Sequence, residues 1–164
     1  MSSEIVALIS VVIAAIATYL ALKQTELNRK AMQAQTFVTI VNTARDIKFS
    51  RGMDIIRSLR YENYDEFKES EPTEVQAHIR EIVDFLNDLR HMIKHDYLTE
   101  EHVLNIYFVS IIACSERLLP WWLEGFRREH GNKYYYYNFE QLCESVKRMG
   151  EKRLELWHKQ DTLA

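Results

Sequence analysis

The chain has 164 residues and a formal net charge of −3 at pH 7. Its 4 glycines and 2 prolines are few for a protein with many turns, which disfavours a β fold and indicates an all-α one. The 2 cysteines, Cys114 and Cys143, lack the spacing of a metal or redox motif. They therefore do not imply a disulfide framework, and free thiols fit a reducing compartment.

An apolar stretch lies near the N-terminus, from Ile5 to Leu22, without a charged residue. As an α-helix it spans about 27 Å, close to the roughly 30 Å hydrocarbon core of a bilayer. A buried core helix usually carries a polar face, and a signal peptide carries basic residues before its apolar run. This chain has neither feature, so we predict a transmembrane anchor over residues 1–22, with the lipid bilayer as a partner.

Charges around the anchor predict its orientation. Glu4 is the one charged side chain before the apolar run, whereas Lys23, Arg29 and Lys30 follow it against a single Glu26. The positive-inside rule then places the N-terminus outside and the rest of the chain in the cytoplasm.

The charge balance changes along the chain. Lys23–Arg60 carries eight basic and three acidic residues, whereas Tyr61–Pro120 carries five basic and thirteen acidic ones. Anionic lipid favours a nearby Lys or Arg by about 1 kcal/mol each, so we expect the basic segment beside the membrane and the acidic one away from it. Nucleic acid is not an expected partner of such a chain.

Residues 23–50 contain no glycine or proline, and helix formers continue without a break. An a/d seam and a second apolar stripe run along this segment. The seam consists of Leu27, Ala31, Ala34, Val38 and Val41, and the stripe of Phe37, Ile40, Ala44 and Ile47. We predict that the anchor helix continues to about Ser50, ends near Gly52 as a C-terminal cap residue, and enters a bundle formed by residues 51–164.

Further helices are predicted within 51–164. A short helix holds Met53, Ile56 and Leu59, and a long one begins at Ser70 or Glu71 with an inward stripe of Val75, Ile79, Ile82, Leu86, Leu89 and Ile93. Thr99 is a good N-cap for a nearly all-apolar central helix that ends near Leu119, where Pro120 kinks or restarts it. A final helix opens with an Asn138–Gln141 capping box and ends with Leu154 and Trp157.

Small residues form one narrow face of the anchor, at Ala7, Ser10, Ala14, Ala17 and Ala21. The same register continues through Gln24, Asn28, Ala31, Gln35 and Val38. Small residues let helix backbones approach closely in lipid, so this face predicts self-association and a homo-oligomer. The alternative is that alanine is simply common in such anchors.

A cluster of aromatic and basic residues suggests a protein-binding surface: Trp121, Trp122, Arg127, Arg128, Tyr134, Tyr135, Tyr136 and Tyr137. Four consecutive tyrosines cannot all point inward, so one or two of them should be exposed. Aromatic residues at helix junctions are otherwise core residues, and the arginines would then pair with acidic groups or a helix C-terminus.

His91 and His95 are four residues apart and share a helix face, a geometry that can hold a metal such as zinc. Further ligands would have to come from His102 or Asp96, and a solvated helix face is the alternative. No phosphate-binding loop, nucleophile elbow or paired His/Cys motif occurs, so no cofactor is expected and catalysis is not favoured.

Three stretches carry a family resemblance: VDFLNDLRHMIKHDYLTEEHV, LLPWWLEGFRRE and YYYYNFEQL. Together they resemble a bacterial domain-of-unknown-function family, number 4760, over about Val83–Leu142, and the anchor resembles that family by its position. The resemblance implies an N-terminal membrane helix, an α-helical domain and a bacterial inner-membrane location. It implies no active site.

The leading functional hypothesis is a single-pass membrane protein whose cytoplasmic bundle acts by self-assembly or by binding a partner. One alternative is a small oligomeric pore or membrane-perturbing effector, although no ring of charge lines the span. Another is a metal-dependent enzyme that uses the His91/His95 face.

Overall fold

The structure is a computed structural model that describes the backbone of residues 3–161 and the side chains of residues 3 and 5–150. Over these residues it contains helices and no strand, which confirms the all-α prediction. The helices are α1 (Ser3–Ala44), α2 (Ile47–Ser58), α3 (Tyr64–Ser70), α4 (Thr73–Lys94), α5 (Glu100–Arg117), a π-helical turn (Leu119–Leu123), α6 (Glu124–Glu129) and α7 (Tyr137–Asp161).

Helix α1 is long and apolar enough to cross a membrane, and none of its most apolar window is buried. It is the one single helix of the described residues that meets this criterion. Helix α5 and the segment Leu119–Glu129 meet this criterion only when they are taken together, and they are bent by 52° relative to each other. Many of their side chains belong to the bundle core. The N-terminal half of α1 therefore extends beyond the bundle as a separate rod.

The continuous helix predicted to about Ser50 is wrong in its last turn. Helix α1 ends at Ala44, and Asp46 caps α2 by accepting a hydrogen bond from the Lys48 amide at 2.7 Å. A short acidic side chain can accept a hydrogen bond from a nearby backbone amide in place of the intrahelical carbonyl. The chain can therefore change direction at this point. Gly52, where the helix was predicted to end, lies inside α2 instead. A Cβ added at this position would lie 2.9 Å from the Ile82 side chain.

Helix α5 lies in the middle of the bundle and contacts α1, α2, α4, α7 and the π-helical turn. Its inward side chains are buried at Val103, Tyr107, Ile111 and Cys114. The central position predicted from its apolar composition is confirmed, but Val109 is exposed, so one side of α5 remains open. Its N-cap is Thr99, as predicted, through a hydrogen bond from the His102 amide.

The inward stripe predicted for α4 is confirmed at Ile79, Ile82, Leu86 and Leu89, all of which are buried. The helix begins at Thr73, slightly later than expected, because Pro72 occupies the N-cap position. Helix α7 then runs back along α4 and α5. Its predicted Asn138 cap is wrong, since Asn138 lies inside the helix and Asn87 of α4 accepts from the Phe139 amide instead. The side chains of Leu154 and Trp157 lie outside the described residues.

The bundle has two distinct ends. At the anchor end, the α4–α5 loop (residues 95–99) lies beside Gln33 of α1. At the far end, Arg60 shares a depression with Glu116 and Pro120. Arg60, the last residue of the basic segment Lys23–Arg60, therefore lies at the opposite end of the bundle from the α4–α5 loop, and the expectation that this segment borders a membrane stays a prediction. Only the basic residues from Lys23 to Lys30 directly follow the anchor.

Candidate functional site

The bundle covers only one side of the second half of α1. The predicted stripe supplies this contact, with Ile40 buried and Phe37 and Ala44 packed against the core. Ile47, the fourth member of the stripe, is 83% exposed because the helix has already ended and the chain has turned at Asp46.

Three side-chain contacts join α1 to the bundle. The Tyr107 hydroxyl donates to the Ile40 carbonyl, and the Gln33 side-chain amide donates to the Asp96 carbonyl at 2.6 Å. The Phe37 and His102 rings lie 5.0 Å apart. The residues of each pair are more than 60 positions apart in sequence, so local patterns carried no signal for them.

The members of the predicted association face are exposed to solvent in the structure. They are Ala7, Ser10, Ala14, Ala17, Ala21, Ala31 and Val38. Seam residues Leu27 and Ala34 are exposed as well, whereas Val41 is partly covered. The face is therefore available to another molecule, and association through it stays a prediction.

Tyr134, Tyr135 and Tyr136 belong to the turn between α6 and α7, and Tyr137 is the first residue of α7. Tyr134, Tyr135 and Tyr137 are exposed, in agreement with the expectation that some of them face solvent. Tyr136 adopts a left-handed backbone conformation (φ 56°), and its ring packs 5.1 Å from that of Phe126. Burial raises the pKa of the Tyr136 hydroxyl, so this group stays neutral at physiological pH.

The two tryptophans do not lie on the same surface as the exposed tyrosines. Trp121 and Trp122 are 8% and 2% exposed, and they pack against Phe67 and Tyr64 respectively. Their inclusion in a partner surface was wrong, because the π-helical turn directs both rings into the core.

The arginines near the tyrosine turn have separate roles. Arg127 donates to the Tyr135 carbonyl at 2.9 Å and to Glu140 at 2.8 Å, so it holds the turn against α7. Arg128 pairs with Asp65, and both side chains are exposed. An exposed pair of this kind contributes about 0–1 kcal/mol. The two arginines also line an open cleft of about 670 Å³ beside Tyr134.

His91 and His95 are exposed near the C-terminus of α4, with ring centroids 4.4 Å apart. His102, named as a further ligand, instead packs against Phe37. No group of three or more His, Cys, Asp or Glu side chains is placed to hold a metal ion among the residues that the structure describes. The histidine pair therefore offers two ligands, fewer than a structural zinc site needs.

Both cysteines are buried in the core between α5 and α7. Burial raises the pKa of the Cys143 thiol to about 12, and it raises that of Cys114 as well. Both thiols are therefore protonated at neutral pH, which makes them unreactive core residues.

Comparison with known proteins identifies the family of this chain. The family model described as "Domain of unknown function (DUF4760)" matches residues 4–146, a range that includes both the N-terminal apolar stretch and Val83–Leu142, where the resemblance was expected. A search of curated proteins and a search of solved structures found no match. Since the family model covers most of the sequence, the chain belongs to the DUF4760 family.

Proposed function

We propose that this chain is a single-pass membrane protein whose α-helical bundle acts by binding, to further copies of itself or to a partner protein, and not by catalysis. The observation that carries the proposal is the apolar stretch Ile5–Leu22, which extends beyond the bundle with its side chains exposed. Covering a Val, Leu or Ile side chain is worth about 1.5–3 kcal/mol, so the ten Val, Leu and Ile side chains of this stretch would be strongly unfavourable in water.

The polar groups of this stretch are compatible with lipid. The Ser10 hydroxyl donates to the Val6 carbonyl, and the Thr18 hydroxyl donates to the Ala14 carbonyl, both at 2.9 Å. Because each hydroxyl is paired within its own helix, neither enters the hydrocarbon core with an unsatisfied donor. The stretch can therefore cross the bilayer without a partner.

The orientation follows from the charges beyond Leu22. Lys23 and Lys30 pair with Glu26, at 3.8 and 2.7 Å, and the segment still keeps a net positive charge through Arg29. We therefore place the N-terminus outside and the bundle in the cytoplasm, in a bacterial inner membrane. The two free cysteines fit a reducing compartment.

Membrane insertion is tested by carbonate extraction of the full chain and of an Ile13→Arg variant. Arginine at the centre of a span disfavours insertion by about 2.5–3.5 kcal/mol, so the variant should be released while the parent chain stays in the pellet. A Val109→Arg variant is the control, because Val109 is exposed on α5 outside the apolar stretch. Release of the parent chain would contradict the proposal.

Orientation is tested with a membrane-impermeant maleimide on intact cells. The native thiols are buried, so a Ser3→Cys or Tyr134→Cys variant carries one accessible thiol. We expect Ser3→Cys to be labelled from outside and Tyr134→Cys only after lysis. The opposite pattern would reverse the orientation.

A further inference from the structure

One face of α1, between residues 24 and 38, is exposed and uncharged. We call it the association strip, and it consists of Gln24, Leu27, Asn28, Ala31, Ala34, Gln35 and Val38, all exposed. These residues occupy the a, d and e positions of two successive heptads and the a position of the next one, over about 21 Å of helix. The strip lies directly after the apolar stretch that ends at Leu22.

Every charged residue of this part of α1 lies outside the strip. Glu26 and Arg29 fall on the side that faces the bundle, and Arg29 lines a depression together with Gln33 and Ile93. Lys23 and Lys30 border the strip at g positions. A helix face that stays in water normally carries the charges, so their absence indicates that another surface covers the strip.

We propose that the association strip packs against the same strip of a second copy, parallel and in register, directly beside the membrane. The inference deepens the proposed function and rests on it. Two anchors that cross the same membrane in the same orientation place their identical strips at the same distance from the bilayer. Leu27, Ala31, Ala34 and Val38 then form the apolar seam between the two copies.

The polar residues of the strip identify a second copy as the occupant. The Gln24 amide donates to the Asn28 side-chain carbonyl at 3.0 Å, which leaves the Asn28 donor and the Gln24 acceptor for the opposite helix. A carboxamide contains both a donor and an acceptor, so it complements an identical carboxamide, whereas an ionised residue repels its own copy. The strip contains three carboxamides and no ionised group.

The bordering lysines also fit a parallel pair. In a parallel coiled coil, a g residue meets the e residue five positions later in the opposite helix. Lys23 would then meet Asn28 of the second copy, and Lys30 would meet Gln35 of the second copy. Each ammonium can donate to a side-chain carbonyl, so neither contact brings like charges together.

The association strip is tested with a matched pair of substitutions in the full chain. Val38 lies in the strip and is 55% exposed, whereas Met32 lies outside it and is 53% exposed. Because neither side chain is buried, Val38→Glu and Met32→Glu should both fold, which circular dichroism checks. We expect the detergent-solubilised parent chain and Met32→Glu to contain at least two copies by light scattering, and Val38→Glu to contain one. A single-copy parent chain, or the same mass for both variants, would overturn the inference.

Cross-linking in native membranes gives a second readout. An Ala31→Cys variant places a thiol at the centre of the strip, and Met32→Cys places one on the neighbouring surface, while the native thiols are buried. We expect mild oxidation to produce a covalent dimer from Ala31→Cys and little from Met32→Cys. Equal yields of covalent dimer from the two variants would overturn the inference that the strips pack against each other.

Carbonate extraction of Val38→Glu separates this inference from the proposed function. The variant should stay in the membrane pellet, because Val38 lies well beyond the apolar stretch. If Val38→Glu stays membrane-bound and keeps the oligomer mass of the parent chain, packing through the strip is contradicted and membrane insertion is not. If carbonate extracts the parent chain itself, membrane insertion is contradicted, and so is the strip packing that rests on it.

Discussion

Gly125 of α6 lies directly against the ring of Tyr64 in α3. A Cβ added to Gly125 would lie 2.0 Å from the Tyr64 Cβ and 2.2 Å from its Cγ. The Tyr64 side chain is buried, and its hydroxyl donates to Glu129, so the ring is held from both sides. The far end of the bundle therefore depends on the absence of a side chain at Gly125.

Gly125→Ala should lower the free energy of unfolding by about 1–3 kcal/mol, because an added methyl group must displace Tyr64 from a packed core. Gly150→Ala is the matched control, since the nearest atom to its new Cβ is the Phe108 ring at 3.9 Å. There, alanine should stabilise helix α7 by about 0.5–1 kcal/mol. Urea unfolding of the solubilised chain measures both, and equal effects would contradict the close contact.

Asn87→Ala should destabilise the start of α7. The Asn87 side-chain carbonyl accepts from the Phe139 amide at 3.2 Å, and this amide lies in the first turn of the helix, where intrahelical partners are lacking. Loss of an N-terminal cap lowers stability by about 0.5–2 kcal/mol. The neighbouring exposed Asp88→Ala is the control for helix propensity, and the same loss there would argue against the cap.

Position 96 should accept glycine and reject a β-branched residue. Asp96 has a φ of 59° and ends α4 in a Schellman motif, in which the Tyr97 amide donates to the Met92 carbonyl and the Asp96 amide to the Ile93 carbonyl. Asp96→Val should therefore lower the free energy of unfolding by about 1–2 kcal/mol.

Asp96→Gly should leave that free energy unchanged or higher, because glycine reaches this conformation without a steric penalty. Thermal unfolding of the two variants side by side measures the difference. Equal losses for valine and glycine would show that the Asp96 side chain, and not its backbone angle, is what matters.

Acid should remove the contribution of Glu129 to stability. Hydrogen bonds, first from Lys68 and then from Tyr64, hold the pKa of the Glu129 carboxyl below its usual range. A lowered pKa means that the stabilisation is present above the unfolded carboxyl pKa of about 4.3 and is lost as the pH falls through the folded value.

The difference in melting temperature between the parent chain and Glu129→Gln should therefore shrink from pH 7 to pH 3. Glu124→Gln, an exposed carboxylate on the same helix, is the control and should show little change with pH. A difference that is constant with pH would contradict a role for the ionised form.

Much of the helical arrangement could be predicted from local patterns. The stripe of α4, the Thr99 cap and the break near Pro120 are properties of residues within one or two turns of each other. The break at Asp46 was missed because the apolar stripe continues through Ile47, although the chain turns there and leaves that side chain exposed. The burial of Trp121 and Trp122 agrees with the alternative that aromatic residues at helix junctions are core residues, and it removes both rings from the predicted partner surface.

The helical class of the chain, its apolar stretch of membrane-spanning length and the segregation of its charge all follow from local features of the sequence. These properties depend on composition and on periods of three to seven residues. The side of α1 that the bundle covers follows from long-range packing instead. The contacts of Phe37 with His102 and of Ile40 with Tyr107 join residues far apart in the chain, so the uncovered face of α1 became identifiable only after the bundle had been placed.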